Sequence, residues 1–368
     1  MDFALTDDHR MMADTARKVG ERFGLDYWRE KDAKKEYAAE FWQAVCDAGL
    51  AGVALPVEHG GAGLGMLEMA IVIEELAAAG GGPTVGQLFM NNPIFGGISI
   101  AKFGTPDMKR DYLPKIASGQ MRFAMALTEP DAGSNSLAMK AFAARDGNDG
   151  WRLNGSKIWI TCMPQAHKVL VVARTLKPDA VKKRSDGISM FLVDIDRQGL
   201  THTPLDKLGT NTNPSSLVYF EDVKVRRDEL VGTLDGGWHE LLEVLNTERI
   251  VTTAGLVGGT RLALRLAVDY AKTRKVFKDT PIGAYQGIQF PLAQAHAESE
   301  CAKLMNWKAA WLHDQGQPYG TEANLAKLIA AQATAAATER AMQTMGGMGY
   351  SKEMHAERLW RDARLFRF

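Results

Sequence analysis

The sequence predicts an α+β chain of several domains: an α-helical first part, an antiparallel β-rich middle and a helical bundle at the end. Three observations carry that expectation. Helical patterning runs from Thr6 to about Gln120; compact β-branched and apolar runs then follow with no helical pattern between them; and apolar stripes at helical spacing return from about Gly236. A chain of 368 residues has room for two or three such units. The boundaries expected are 1–120, 121–232 and 233–368.

In the first part Thr6 is a candidate N-cap ahead of Asp7 and Asp8. Breakers at Leu55-Pro56 with Gly60-Gly61, at Gly80-Gly81-Gly82-Pro83 and at Gly104-Thr105-Pro106 divide the region into short helices, each break being expected as a surface loop. In the middle, Lys168 to Ala173, Ile188 to Val193 and Ser216 to Phe220 read as strands. Asn154-Gly155, flanked by Trp151, Leu153, Ile158 and Ile160, predicts a two-residue hairpin. An antiparallel barrel or sandwich therefore fits better than a doubly wound sheet. In the last part Ile250, Ala254, Val257, Leu264, Val268 and Ala271 fall on one helical stripe, interrupted by Arg261. Alanine-rich helices at about 287–314 and 321–345 follow, joined through Gly316 to Gly320 and ended by Gly346-Gly347.

Composition excludes several functions. Lysine plus arginine balances aspartate plus glutamate, 44 against 44, so no global field draws in nucleic acid or an anionic membrane. Cys46, Cys162 and Cys301 are odd in number and far apart, which disfavours a disulfide framework and fits a reducing cytoplasm. Met1 to Asp8 lacks the basic and apolar regions of a signal peptide, and no apolar run is long enough to span a membrane. The eight histidines show no ligand spacing, so no metal site is expected. Gly150 to Lys157 reads GxxxxGSK on a strand pattern and is no P-loop; Gly60 to Gly65 lacks the GxGxxG register.

Two segments carry chemistry. Leu127-Thr128-Glu129-Pro130-Asp131-Ala132-Gly133-Ser134-Asn135 is a turn rich in hydroxyls and backbone N–H groups, suited to a planar polar edge and a phosphate. Gly155-Ser156-Lys157-Ile158-Trp159-Ile160-Thr161 offers an indole for a flat ring and a hydroxyl two residues on, which would share a strand face. Alone, Trp159 is more often a packing residue. Their order, between helical regions, favours a flavin site.

The whole chain resembles the acyl-CoA dehydrogenase family. The resemblance rests on Phe3-Ala4-Leu5-Thr6-Asp7, Pro56-Val57-Glu58-His59-Gly60-Gly61, Phe103-Gly104-Thr105-Pro106, the two segments above, Phe220-Glu221-Asp222-Val223, Arg274-Lys275-Val276-Phe277 and Gln343-Thr344-Met345-Gly346-Gly347. It implies an α-helical N-terminal domain, a central antiparallel β-barrel-like domain and a C-terminal four-helix bundle. It also implies FAD, an acyl-CoA thioester, an electron-transferring flavoprotein as electron acceptor, and a homo-oligomer, a dimer or dimer of dimers.

Carried over by position, Met125, Leu127, Thr128 and Ser134 belong to the segment around the pyrimidine side of the flavin, with Ser134 also near CoA. Trp159 packs on the ring, and Thr161 directs its hydroxyl at flavin N5. Arg274, Phe277, Tyr285, Gln286, Gln343, Gly346 and Gly347 match residues that reach a neighbouring subunit's FAD. Their ordinary roles would be a solvated helix end for Arg274, core for Phe277 and a helix cap for Gly346-Gly347.

The chemistry needs a base for the α-proton, and burial beside an apolar chain raises a carboxylate pKa toward working pH. The family places the base either in a loop after the last bundle helix or in the helix containing Asn246-Thr247-Glu248-Arg249; here Glu248 is the candidate. Asn246, Thr247 and Arg249 match a substrate-contacting stretch, with Asn246 standing where aspartate is frequent. Asn135, Asn211 and Arg226 also depart from the usual residues. The expected function is FAD-dependent oxidation of an acyl-CoA to the trans-2-enoyl-CoA in the cytoplasm, within fatty-acid metabolism. The alternatives are an oxygen-using relative (acyl-CoA oxidase, nitroalkane oxidase or flavin monooxygenase) and a non-catalytic acyl-CoA-binding subunit.

Overall fold

Thr6 caps the first helix as its sequence predicts: its Oγ1 accepts from His9 N at 3.2 Å, and His9 Nδ1 accepts from Thr6 N at 3.3 Å. The structure is a computed structural model that describes residues 4–148 and 150–368. Met1, Asp2 and Phe3, the last belonging to the opening motif, lie outside the described residues, as does Asp149.

The first part contains α1 (Asp7–Glu21), α2 (Leu25–Lys34), α3 (Ala39–Asp47), α4 (Met66–Leu76), α5 (Thr84–Phe89), α6 (Ser99–Phe103) and α7 (Pro106–Ala117). Thr105 caps α7 by accepting from Met108 N, and Pro106 opens it, where no N–H is needed. On either side of α5 the backbone widens into π-helix, at Ala77–Gly81 and Met90–Ile98.

The middle part is a sheet of β1 (Phe123–Ala126), β2 (Phe142–Asp146), β3 (Gly150–Thr161), β4 (Lys168–Arg174), β5 (Ile188–Asp194), β6 (Leu200–Pro204), β7 (Ser215–Arg226) and β8 (Leu230–Val231). The strand order is β6-β7-β3-β2-β4-β5-β8, with β1 added against β4. Pairing is antiparallel except for β1 on β4 and the single pair Phe142–Arg174 between β2 and β4, which are parallel. Trp151 stacks at a tilt on Phe191, with Val169, Val171, Phe220 and Val223 buried around them.

The hairpin expected at Asn154-Gly155 lies elsewhere. The β2–β3 turn falls after Asp146, through Gly147 at φ 61° and Asn148, and Asn154-Gly155 sits inside β3 at a bulge against β7. Asn154 exchanges two 2.9 Å hydrogen bonds with Asp222, its Nδ2 donating to Oδ1 and its Oδ1 accepting from the backbone N. A Cβ on Gly155 would meet Ala141 Cα at 2.8 Å. The glycine therefore serves a bulge and a close strand approach instead of a turn.

The last part contains α8 (Gly237–Thr273), a small hairpin of β9 (Lys275–Val276) and β10 (Thr280–Pro281), then α9 (Gln286–Asp314), α10 (Gly320–Met345) and α11 (Ala356–Arg364). Ile250, Ala254, Val257, Leu264 and Ala271 of the expected stripe are buried, while Val268 stays partly exposed. Arg261 leaves the stripe to donate to Glu75 Oε1 of α4 at 2.7 Å. The break at Gly80 to Pro83 is no surface loop: all four residues are buried, and α8 crosses there. A Cβ on Gly258 would meet Glu74 O at 2.4 Å, and one on Gly259 would meet Pro83 at 2.7 Å. A Cβ on Gly255 would meet Gly86 Cα at 2.9 Å, so α8 closes on the first part through glycine on both sides. No helix among the described residues is long and apolar enough to cross a membrane.

Candidate active site

The two chemistry-bearing segments are clamped by a buried ion pair that their motifs contain. Lys157, fully buried, donates from Nζ to Leu127 O at 2.8 Å and to Glu129 Oε1 at 2.9 Å. Glu129 also accepts from Lys140 N at 2.6 Å and Ala141 N at 2.9 Å, and Ile158 N donates to Thr128 O at 2.8 Å. Burial pulls the Lys157 pKa down and Glu129 opposes that shift. Neither Lys157 nor Glu129 was singled out as a functional position in the sequence, although both stand inside the quoted segments.

Glu129 and Ala132 exchange backbone hydrogen bonds, so Pro130-Asp131 forms the tip of a tight turn. Beyond it Ser134 is exposed, and the N–H groups of Gly133 and Ser134 have no partner among the described residues. Such a row of free donors suits an anionic or polar ligand.

Trp159 and Thr161 reach one cavity, but not through strand alternation. Trp159 has φ 63°, the β3–β7 register shifts between Lys157 and Ile160, and Ile160 lines the cavity as well. A bulky residue in the left-handed region is a strained exception held by its surroundings. The strain leaves the indole 54% exposed, with its face free for a ligand. Thr161 Oγ1 lies 3.3 Å from Ser215 Oγ.

The cavity has a volume of about 240 Å³. Its β-domain wall holds Met125, Leu127, Thr128, Trp159, Ile160 and Thr161; the π-helix contributes Met90, Asn91 and Phe95; α8 contributes Leu245 and Glu248. Leu245 and Glu248, three residues apart, share a helix face. Thr252, one turn on, donates to Glu248 Oε1 at 2.7 Å. Burial raises the Glu248 pKa above the ordinary glutamate value of 4.5, opposed by the Thr252 hydroxyl and the charges of Arg249 and Lys327. A carboxylate of raised basicity facing an exposed indole can take a proton from a ligand held on that indole.

Glu248 also borders a second cavity of about 640 Å³ with Arg249, Lys327, Gln332, Phe366 and Phe368. Arg249 donates to Asn246 Oδ1 at 2.9 Å, so these two expected substrate residues hold each other. Thr247 does not join them. It is fully buried and its hydroxyl donates back to Val244 O at 2.8 Å, because consecutive helical residues point to different faces.

Arg274, Phe277, Tyr285, Gln343, Gly346 and Gly347 line a different cavity, of about 650 Å³, at the end of the bundle. Gln286 starts α9 beside it and is exposed. Phe277 is 83% exposed, so it is not core; with Lys278 and Asp279 it forms a hairpin tip in which all three residues have positive φ. Gly346 ends α10 at φ 58°, a cap whose neighbour Gly347 is open to solvent. Within one chain this set and the Trp159 set do not share a cavity.

Met90, Asn91, Phe95 and Leu245 went unmarked in the sequence. The available signal was Asn91-Asn92-Pro93 followed by Gly96-Gly97, a composition at odds with an ordinary α-helix. The Thr128 hydroxyl, the Thr161 hydroxyl beside Ser215, the exposed indole and the unpaired turn amides fit a flat polar ring carrying a phosphate.

Comparison with known proteins agrees with that chemistry. Family models described as acyl-CoA dehydrogenase N-terminal, middle and C-terminal domains match residues 6–120, 124–223 and 235–368. The chain is 44% identical to the acyl-CoA dehydrogenase FadE12 of Mycobacterium tuberculosis strain H37Rv over 347 residues, covering 94% of this chain and 87% of that protein. It is 36% identical to the mitochondrial short-chain specific acyl-CoA dehydrogenase of Bos taurus, covering 98% and 86%. The solved butyryl-CoA dehydrogenase of Megasphaera elsdenii superposes with a TM-score of 0.92 at 31% identity, over 100% of this chain and 95% of that one.

Proposed function

Since this chain belongs to the acyl-CoA dehydrogenase family, whose members are FAD flavoproteins, we propose that it oxidises an acyl-CoA to the trans-2-enoyl-CoA with Glu248 as the base. The observation that carries this assignment is that Glu248, of raised pKa, faces Trp159 and Thr161 across one cavity. When bound, FAD supplies the acceptor for the β-hydride and the relay of electrons to an electron-transferring flavoprotein.

Met125, Leu127, Thr128, Ser134, Trp159 and Thr161 hold the cofactor in this account. Trp159 would orient the ring, Thr161 would donate to its edge, and the unpaired turn amides would meet its polar end. Glu248 removes the α-proton, and Thr252 fixes the carboxyl rotamer so that one oxygen stays free for it. The apolar lining from Met90, Phe95 and Leu245 excludes water and keeps Glu248 basic. Arg249 with Asn246 serves the CoA side.

The enzyme works in the cytoplasm as a homo-oligomer, a dimer or dimer of dimers. In that assembly Arg274, Phe277, Tyr285, Gln286, Gln343, Gly346 and Gly347 of one copy complete the cofactor site of another. The exposed Phe277, Tyr285 and Phe290 support it, because a lone chain gains nothing from exposing three large rings at one end of its bundle.

Purified protein should be yellow and bleach anaerobically on addition of acyl-CoA, with turnover depending on an electron-transferring flavoprotein. Turnover supported by oxygen with formation of peroxide would replace the dehydrogenase by an oxidase. Failure of every acyl-CoA to bleach the flavin would remove the assignment.

A further inference from the structure

The Glu248 cavity has two unlike ends. Thr128, Trp159 and Thr161 form the ring side, whereas Met90, Phe95 and Leu245 form an apolar end, and an acyl group belongs against the apolar end. The π-helix at Met90–Ile98 builds that end. Its i→i+5 pattern stacks Met90 and Phe95 on one face, one turn apart; in an α-helix the same two residues would diverge by about 140°.

That floor cannot recede. A Cβ on Gly96 would lie 2.6 Å from the Phe123 ring, and one on Gly97 would lie 2.7 Å from Leu55. Asn92 Oδ1 accepts from Phe123 N at 3.0 Å, pinning the segment to β1, and Phe95 is part of the main core at 5% exposure. The cavity that this floor closes has a volume of about 240 Å³. Among the described residues lining it there is no cationic side chain, Glu248 being the sole ionisable carboxyl, and the Asn91 amide is committed to Gln87 O at 3.0 Å.

We propose that Met90 and Phe95 close the acyl end of the cavity, so that the enzyme takes short, uncharged acyl-CoA thioesters and rejects long or carboxylate-terminated ones. This inference rests on the dehydrogenase assignment above and adds the substrate class.

The test uses the FAD-loaded protein with butyryl-, octanoyl-, dodecanoyl- and glutaryl-CoA. Rates of anaerobic bleaching are measured for wild type, and dissociation constants by calorimetry for Glu248→Gln, so that binding is read apart from chemistry. Butyryl-CoA is expected to bleach the flavin at least about tenfold faster, and to bind with a dissociation constant at least about tenfold lower, than dodecanoyl- or glutaryl-CoA. Phe95→Leu, and Met90→Ala as an independent variant, should each raise octanoyl-CoA relative to butyryl-CoA by at least about tenfold. Bleaching and binding that are flat across the panel, or variants with the wild-type profile, would overturn the length limit while leaving the dehydrogenase assignment intact. No bleaching by any of the four would overturn both.

Discussion

Lys157 lines no part of the Glu248 cavity, yet it fixes two of the backbones that do. Its ammonium is held between Leu127 O and Glu129, so the chain around Thr128 and the chain leading to Trp159 move together. A buried cation without its partner is far costlier than the pair, and removal of either member costs about 3–5 kcal/mol. Lys157→Met is therefore expected to destabilise the protein by about 3 kcal/mol in chemical denaturation and to weaken FAD retention. The double variant with Glu129→Gln should recover part of the stability, because it no longer strands a carboxylate. Thr128, Trp159 and Thr161 stand out in the sequence through the family resemblance, with side chains whose chemistry suits a ring. Lys157 was legible only as the end of a failed phosphate motif, since an ion pair across strands has no periodicity to betray it.

At the scale of elements, the irregular segments build the site. The bulge at Trp159, the bulge at Gly155 and the π-helix at Met90–Ile98 each move side chains off the faces that ideal periodicity assigns. Asn154-Gly155 announces a backbone that tolerates unusual φ, but a turn and a bulge make the same demand on glycine. Long-range pairing with β7 decides between them, and that is absent from local sequence. The Gly80 to Pro83 break shows the same ambiguity, since glycine permits a loop or a close helix crossing equally well.

A second element-scale consequence concerns α4. Glu74 is buried against α9, where Trp307 Nε1 donates to it at 2.9 Å, and burial pushes its pKa up to about 8 from the ordinary 4.5. The folded state then keeps a proton that the unfolded chain releases, so between about pH 4.5 and 8 it binds more protons and stability falls as pH rises. This group contributes a slope of up to about 1.4 kcal/mol per pH unit. Glu74→Gln is expected to flatten that part of the pH–stability curve and to be more stable than wild type at alkaline pH. A wild-type curve with the same slope in the variant would show that Glu74 is not the group responsible.

For the whole molecule, the decisive fact is that two sets of residues expected at one cofactor line separate cavities of one chain. The proposed second copy would bring them together. Phe277→Asp, at an exposed and strained tip, should lower the mass of the assembly measured by sedimentation and reduce FAD retention together, with little change in far-UV circular dichroism. Retained FAD on a dissociated monomer would show that each chain completes its own site. The succession of helical, β-rich and helical parts was readable from patterning alone. Which surfaces meet across copies was not, because an exposed phenylalanine and a core phenylalanine have the same sequence signature.

The central claim is that Glu248 is the base, and its most direct test is anaerobic stopped-flow reduction of the flavin by butyryl-CoA in Glu248→Gln against wild type. The variant is expected to be yellow and to bind acyl-CoA but to reduce its flavin slower by on the order of 10²–10⁴-fold, while the wild-type rate rises with pH through a value above the ordinary 4.5. Bleaching of Glu248→Gln at the wild-type rate would contradict it.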